Sequence, residues 1–561
     1  MEHRPWHDYY DEGIPTSLTY PAVPIFHFLE DSAKKYPDKP CTIFKGAVIS
    51  YKEMSRTTDQ LAAALVDLGV KKGDRVGLLI PNTPQFVMAY FAILKAGGIV
   101  VATNPQYTGR EITHQANDSG MELMILMSNY YELVKKVQAE TGISQIIVTN
   151  IKETLPPLLS LLFTLVKEKK GGFRVTLRDN DLWLPDLLKK YANHERPVVD
   201  VDAEDTAIFQ YSGGTTGIPK AAIGLHRNLV ANTIQMLHWI TTGKMGNEVV
   251  MMAIPLYHVY GMVAGMNYGL AAGASLVMVP DPRDLKDLLG NMQKYKTTIF
   301  PAVPALYNAI NNNADVKAGK YDLSAIKACI SGSAPLMRET KETFESLTGG
   351  VLFEGYGLSE TPTATHCNPN LGENRTGSIG LPFPDVDAKI IDLDDEVTEL
   401  PPGEIGELVI KAPQVFKGYH NMPTETRNSL REGWLYTGDI ARMDEQGYFY
   451  IVDRKKELIK PGGFQVWPRE VEEVLQDHPA IQDVGVAGIP DPQRGETVKA
   501  WIVLNEGHSI NRDELKSWCS DKLAKYKIPT EIEFRDELPK THVGKLLRRE
   551  LVREHKEGAG G

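Results

Sequence analysis

Short apolar runs alternate with segments of helical spacing along most of this chain, and that alternation restricts the fold more than any other feature of the sequence. "RVGLLI" (75–80) is followed by a helix that opens at Thr83-Pro84 and stops at Gly97-Gly98, and then by "IVVA" (99–102) and "LMILM" (123–127). Proline suits the first position of a helix and glycine the position just past its end. Runs lacking polar alternation suit strands covered on both faces, as in parallel sheets flanked by helices. The rhythm resumes at "EVVMMAIPL" (248–256), "SLVMV" (275–279), "TTIF" (297–300), "KACIS" (327–331) and "VLFEG" (351–355). The expected body is α/β, built on doubly wound parallel sheets. Ligands of such sheets sit beyond the carboxyl ends of the strands, so the loops at Tyr211, His258, Ser331 and Gly355 are expected to converge on one cleft.

Past about residue 375 the texture changes to Gly- and Pro-punctuated short strands such as "AKIIDL" and "GELVIKAP", consistent with a small β subdomain. After the charged "VDRKKELIK" (452–460), "PREVEEVLQDHPAI" reads as a helix, "DVGVAGI" and "VKAWIVL" as strands and "RDELKSWCSDKLA" as a helix. These make a compact α+β unit of roughly 100 residues.

The chain carries 61 Lys and Arg against 72 Asp and Glu, a formal net charge of −11, which argues against a general nucleic-acid coat. Cys41, Cys329, Cys367 and Cys519 form no CxxC pair, so neither a disulfide framework nor a zinc site is indicated. The N-terminal "MEHRPWHDYYDEG" has no apolar core of a secretory signal, and no window supplies the ~20 apolar residues of a membrane span. The expected location is cytoplasmic. One run stands apart: "LPPLLSLLFTLV" (155–166), followed by "KEKK", reads either as a peripheral contact with the inner membrane face through residues 155–170 or as a helix packed on the body.

"YSGGTTGIPK" (211–220) gathers three glycines, a serine, two threonines and a lysine after the run "TAIFQ". Such a loop aims backbone N–H groups and hydroxyls at one point and lets the backbone approach a ligand closely, which suits a phosphate. It is not the P-loop pattern, because Ile218 and Pro219 separate Gly217 from Lys220 and Ala221 follows. A mobile surface connection would have similar composition, so other stretches must decide.

Together with that loop, "YGLSE" (356–360), "YTGD" (436–439), "DRKKELIKPGGFQV" (453–466) and "PKTHVGK" (539–545), in this order, resemble the adenylate-forming superfamily of acyl-CoA synthetases, luciferases and adenylation domains. "PLYHVYGM" (255–262) points to the fatty acyl-CoA synthetase branch. The resemblance implies a large domain at 1–453, with flavodoxin-like α/β subdomains at 1–200 and 201–375 and a β subdomain at 376–453. A hinge at 454–456 and a small mobile α+β domain at 457–561 complete it. It also implies an AMP-forming ligase that uses ATP and Mg²⁺ to activate a carboxylic acid and then forms a thioester with coenzyme A.

Carried residue by residue, the resemblance places Ser212, Gly213, Gly214, Thr215, Thr216, Gly217 and Lys220 on the phosphates, with Glu360 and Thr215 on magnesium. Tyr356 would stack on adenine, beside Glu354, Gly355, Gly357 and Ser359 and the turn at Ser333, Ala334 and Pro335. Asp439 and Arg454 would meet the ribose, Lys545 would bridge the acid and the α-phosphate, and Lys460 and Gly463 would face coenzyme A. His258 is expected at the mouth of an acyl pocket, with Tyr260, Gly261 and Met262 along it. Gly213 stands where the family commonly has Ser, Ala221 where it has Gly, and His542 where a small residue is usual. A homodimer is admissible. The competing readings are an aryl-acid CoA ligase, a ligase acting on a carrier protein, a luciferase-like oxygenase, or a non-catalytic nucleotide- or acyl-binding protein.

Overall fold

The computed structural model describes residues 4–212, 219–461, 464, 466–492, 494–520, 522–541 and 545–558. Within it the chain forms two compact units, one made of His7–Val386 and Ala412–Asn428, the other of Arg4–Trp6, Asp387–Lys411 and the chain from Ser429 onward.

The first unit contains two large sheets. A seven-stranded sheet runs in the spatial order Leu182–Trp183, Gln145–Thr149, Leu123–Met127, Arg75–Leu79, Ile99–Ala102, Thr206–Ser212, Lys220–Leu225. All its neighbours pair parallel except the last two strands, which pair antiparallel. The nine-stranded sheet has a parallel centre in the order Val351–Gly357, Ala328–Ser331, Ile299–Ala302, Val249–Met252, Ser275–Met278, Pro40–Phe44. The expected doubly wound architecture is met. Its strands are buried as their composition predicts: every residue of Leu123–Met127 is buried. The strand expected at 297–300 forms two residues later, at Ile299–Ala302: Thr297 N–H still donates to the Met292 carbonyl of the preceding helix at 3.1 Å, and Thr298 N–H makes the first contact with the neighbouring strand, at Val249, at 2.9 Å.

Helix Pro84–Lys95 is apolar almost all round and buried along its entire length. It touches Pro40–Phe44 of one sheet and Arg75–Leu79 and Ile99–Ala102 of the other, so it has no solvent face to make polar. Its single charge, Lys95, is held by Asp59 at 2.7 Å and Thr58 at 2.9 Å. Proline starts the helix, and Gly97, at φ +79°, ends it where a Cβ would meet Val199 at 2.9 Å.

In the second unit, Asp387–Ile391, Gly406–Lys411, Leu430–Arg431, Trp434–Met443 and Phe449–Arg454 form an antiparallel sheet. A single turn, Lys455–Glu457, follows its last strand. Beyond it Ile481–Asp491, Gly495–Leu504 and Glu531–Phe534 make a three-stranded sheet, whose buried Val486, Val498 and Ile502 share a core with Val471 and Leu475 of helix Pro468–Gln476 and Leu515 of Arg512–Ser520.

Candidate active site

The glycine-rich stretch lies between two paired strands, with Ser212 opposite Lys220. Gly213, Gly214, Thr215, Thr216 and Gly217, and the side chain of Ser212, lie outside the described residues. A third segment runs along Lys220–Leu225: Ile223 N–H donates to the Gly418 carbonyl at 2.9 Å, Lys417 N–H to Ile223 at 3.0 Å and His420 N–H to Ala221 at 2.9 Å. That alignment brings Tyr419 to Lys220. The Lys220 ammonium pairs with the Glu425 carboxylate and lies 5.3 Å from the centre of the Tyr419 ring, while the Tyr419 hydroxyl donates to Glu360 Oε1 at 2.6 Å.

Glu360 is half-buried on a turn that leaves the strand Val351–Gly357. Leu358 N–H donates to the Thr363 carbonyl at 3.0 Å and Thr361 N–H to Leu358 at 3.2 Å, closing the turn. Phe416 N–H donates to the Glu360 carbonyl at 2.8 Å. Gly357 is obligatory here, since a Cβ would lie 1.6 Å from the Thr363 oxygen. In the same strand Glu354 is buried, Gly355 and Tyr356 are half-buried, and Tyr356 faces His366 edge-on at 5.9 Å. Ser359 is half-buried next to Glu360.

The turn at Ser333, Ala334 and Pro335 follows the strand Ala328–Ser331, and Ser333 adopts φ +71°. The loop after Val249–Met252 reaches this turn through Tyr260, whose hydroxyl donates to the Ile330 carbonyl at 2.7 Å. Gly332 allows the contact, for a Cβ there would come within 3.2 Å of the Tyr260 ring. Two residues earlier His258 Nδ1 accepts the Tyr260 N–H at 3.2 Å, and desolvation lowers the His258 pKa to about 4. A neutral imidazole with Nδ1 accepting carries its proton on Nε2. Gly261 lies so close to Pro255 that a Cβ would meet its carbonyl oxygen at 2.4 Å, and Tyr260, Gly261 and Met262, buried, begin a π-helical stretch, Tyr260–Asn267.

In the second unit Asp439 and Arg454 face each other across paired strands, and Arg454 Nε contacts Asp439 Oδ1 at 2.7 Å. Asp439 is buried, 2% exposed, so its charge is paired within the sheet, as a buried carboxylate requires. Lys460 is exposed, its N–H donating to Glu496 at 2.8 Å; Gly463 lies outside the described residues. Lys545 is half-buried; Thr541 N–H donates to its carbonyl at 2.7 Å, and Lys545 N–H donates to Thr541 Oγ1 at 3.1 Å. His542 lies outside the described residues.

Sequence reasoning missed Tyr419 and Glu425. The signal for them is slight, a Gly-Tyr pair before an Asn-Met-Pro turn in "KGYHNMPTET" (417–426), and nothing in their spacing ties them to residues 220 or 360.

Two family models match the chain: AMP-binding enzyme over residues 29–420 and AMP-binding enzyme C-terminal domain over residues 470–545. Among curated relatives, a long-chain-fatty-acid–CoA ligase of Bacillus subtilis (strain 168) is 42% identical over 558 residues, spanning 99% of this chain and 98% of the relative. A protein of the same description from Escherichia coli O6:H1 is 38% identical, with 97% of each chain covered. Among solved structures, ATP-bound MatB from Rhodopseudomonas palustris superposes with a TM-score of 0.82 at 27% identity, covering 96% of this chain and 99% of that one. The anthranilate CoA ligase AuaEII in complex with anthranoyl-AMP gives 0.83 at 25% identity, covering 97% and 99%. The resemblance read from the five motifs is thereby borne out, and the chain belongs to the AMP-binding enzyme family.

Proposed function

We propose that the chain is an AMP-forming fatty acyl-CoA synthetase for long- or medium-chain acids. Fatty acid and ATP give acyl-AMP and pyrophosphate, and the thiol of coenzyme A then displaces AMP to give the acyl-CoA. The observation that carries this reading is the likeness, along essentially the whole chain, to a long-chain-fatty-acid–CoA ligase at 42% identity.

In the first step a carboxylate approaches an already anionic phosphate, so cations and oriented donors must face the charge that builds up on the α-phosphate and the leaving pyrophosphate. Lys220, with Ser212, Thr215, Thr216 and the N–H groups of Gly213, Gly214 and Gly217, holds the pyrophosphate end. Glu425 is the carboxylate that Lys220 leaves when the polyphosphate arrives. Lys545 bridges the acid and the α-phosphate, and orientation of the two reactants supplies much of the rate.

Glu360 fits a magnesium ion: one of its oxygens is fixed by Tyr419, and no group of three or more His, Cys, Asp or Glu among the described residues forms an all-protein cage. Mg²⁺ commonly takes one or two carboxylates and completes its shell with phosphates and water. Glu360 and Thr215 would hold it there, and the ion when bound neutralises phosphate charge.

Tyr356 stacks on adenine between the Glu354–Ser359 segment and the Ser333–Pro335 turn. Asp439 accepts from the ribose hydroxyls, with Arg454 beside it. His258, neutral, offers Nε2–H at the acyl pocket. Residues 454–456 act as a hinge between 1–453 and 457–561, so that Lys545 serves the first step and Lys460 and Gly463 line the coenzyme A path in the second. The enzyme works on the cytoplasmic side and meets the membrane peripherally through residues 155–170.

The test is AMP and thioester release with ATP, Mg²⁺, coenzyme A and acids from acetate to oleate, with phenylacetate and coumarate alongside. A maximum among the longer fatty acids is expected. A maximum at coumarate makes it an aryl-acid ligase, AMP without thioester points to a carrier-protein acceptor, and no AMP with any acid sinks the reading.

A further inference from the structure

Helix Pro157–Val166 is inverted relative to the body that carries it. Leu158, Leu159, Leu161, Leu162, Leu165 and Val166 all face solvent, Leu158 at 69% and Leu165 at 73% exposure, and no residue of the helix is buried. The half-buried positions are Ser160, Phe163 and Thr164. Phe163 sits edge-on to Phe173 at 5.3 Å, and Arg174 donates to the Thr164 carbonyl at 3.1 Å. A helix stabilised by its own domain turns the apolar stripe inward. Here Ser160, Thr164 and a single aromatic, Phe163, face inward and the leucines outward, and N–H donations from Lys167 and Glu168 to the Phe163 carbonyl at 2.9 and 2.8 Å close the end of the helix. Single exposed apolar residues are ordinary, but a contiguous patch of this kind marks an interaction surface.

The chemistry at the end of the helix selects the partner. Lys167, Lys169 and Lys170 are exposed and make no ion pair among the described residues. The acid among them, Glu168, is buried and already neutralised by Lys152 at 2.5 Å and Arg174 at 3.3 Å. An apolar face bordered by uncompensated ammonium groups matches a layer of hydrocarbon edged by phosphates. The helix is about 15 Å long at 1.5 Å per residue, half the ~30 Å hydrocarbon thickness, so it lies in the plane of the surface.

We infer that Pro157–Val166 docks on a bilayer containing anionic phospholipid, with its leucines among the acyl chains and Lys167, Lys169 and Lys170 on headgroup phosphates. This rests on the reading of a fatty acid ligase that meets a membrane through residues 155–170 and specifies which residues enter, which lipid they select and how the helix lies.

The test is flotation of the full chain with phosphatidylcholine vesicles and with mixed phosphatidylcholine/phosphatidylglycerol vesicles. It compares the wild type, the pair Leu161→Asp/Leu165→Asp and the triple Lys167→Gln/Lys169→Gln/Lys170→Gln. Thermal melts and AMP release with detergent-solubilised fatty acid serve as checks on folding and on the ligase reading. The wild type is expected to float with the mixed vesicles far more than with phosphatidylcholine, the leucine pair not to float, and the lysine triple to partition on the order of 100-fold more weakly, about fivefold per lysine. Equal flotation of wild type and lysine triple on both vesicles overturns the phosphate assignment while leaving a membrane contact standing. Absence of flotation for the wild type overturns the membrane contact itself, and AMP release still reports on the ligase reading. A concentration-dependent dimer in sedimentation that the leucine pair abolishes gives this face to a second copy and overturns the inference.

Discussion

The hydroxyl of Tyr419 donates to the carboxylate of Glu360 at 2.6 Å across 59 residues of sequence. A hydrogen bond to an ionised group is worth about 1.5–3 kcal/mol, and here it fixes one oxygen of the candidate magnesium ligand. Tyr419→Phe keeps the ring beneath Lys220 and removes only that donor. We expect a ~10–100-fold loss in kcat/KM for acyl-AMP formation and a higher Mg²⁺ requirement, measured by pyrophosphate release across a magnesium titration, with a melting temperature lowered by only a few degrees. An unchanged magnesium requirement would separate Tyr419 from the metal.

Glu425 neutralises Lys220 in a partly exposed pair, with side-chain exposures of 17% for the lysine and 44% for the glutamate. Such pairs contribute about 0–1 kcal/mol. Glu425→Gln removes a carboxylate that competes with polyphosphate, so KM for ATP should fall by up to roughly fivefold with kcat nearly constant. A rise in KM would mean that Glu425 orients Lys220 for the nucleotide.

Lys545→Ala should reduce acyl-AMP formation by about 10²–10³, the scale of removing one preorganised charge-stabilising group, and spare thioester formation from supplied acyl-AMP. Single-turnover assays of the two half-reactions decide it. Equal loss in both would remove Lys545 from the adenylation step.

Gly357→Ala introduces a Cβ 1.6 Å from the Thr363 carbonyl oxygen. Backbone cannot yield as a flexible side chain can, and overpacking of this kind costs about 1–3 kcal/mol or more. A lowered melting temperature and weakened nucleotide binding should appear together, because the Glu360 turn begins at this residue. Calorimetry with and without ATP checks both.

His226 is buried and its Nδ1 accepts the Ile25 N–H at 3.2 Å. Desolvation pushes its pKa down to about 4, although Asp205 and Asp202 pull it upward, and Lys72 adds to the lowering. In the unfolded chain it titrates near 6.5. Above that pH its contribution to stability is complete; as pH falls from 6.5 towards 4 the unfolded chain takes up a proton that the folded one refuses, and on the order of 3 kcal/mol is lost. His258, lowered to about 4, and His366, lowered to about 3, act with the same sign. Urea midpoints between pH 7 and 4.5 should fall more steeply for the wild type than for His226→Gln. Parallel curves would show that another group carries the acid sensitivity.

What the sequence determined by itself was local. Leu123–Met127 is apolar at every position, so it had to be a strand covered on both faces, and Pro84 and Gly97 bracket a helix whose composition leaves it no place but the interior. Motif order identified the family because glycines, hydroxyls and acids recur at fixed spacings within single turns. The tertiary structure decided what distant segments do to each other. Phe416–His420 meets Lys220–Leu225 through backbone donors and acceptors that every residue possesses, so no side-chain pattern could announce that Tyr419 would reach Glu360. The leucines of 158–165 were legible as apolar, but which way they face depended on Phe163 packing against Phe173 and Arg174 closing on Thr164. A hydrophobic run states that it must be covered; only the packing around it leaves the covering to something outside the chain.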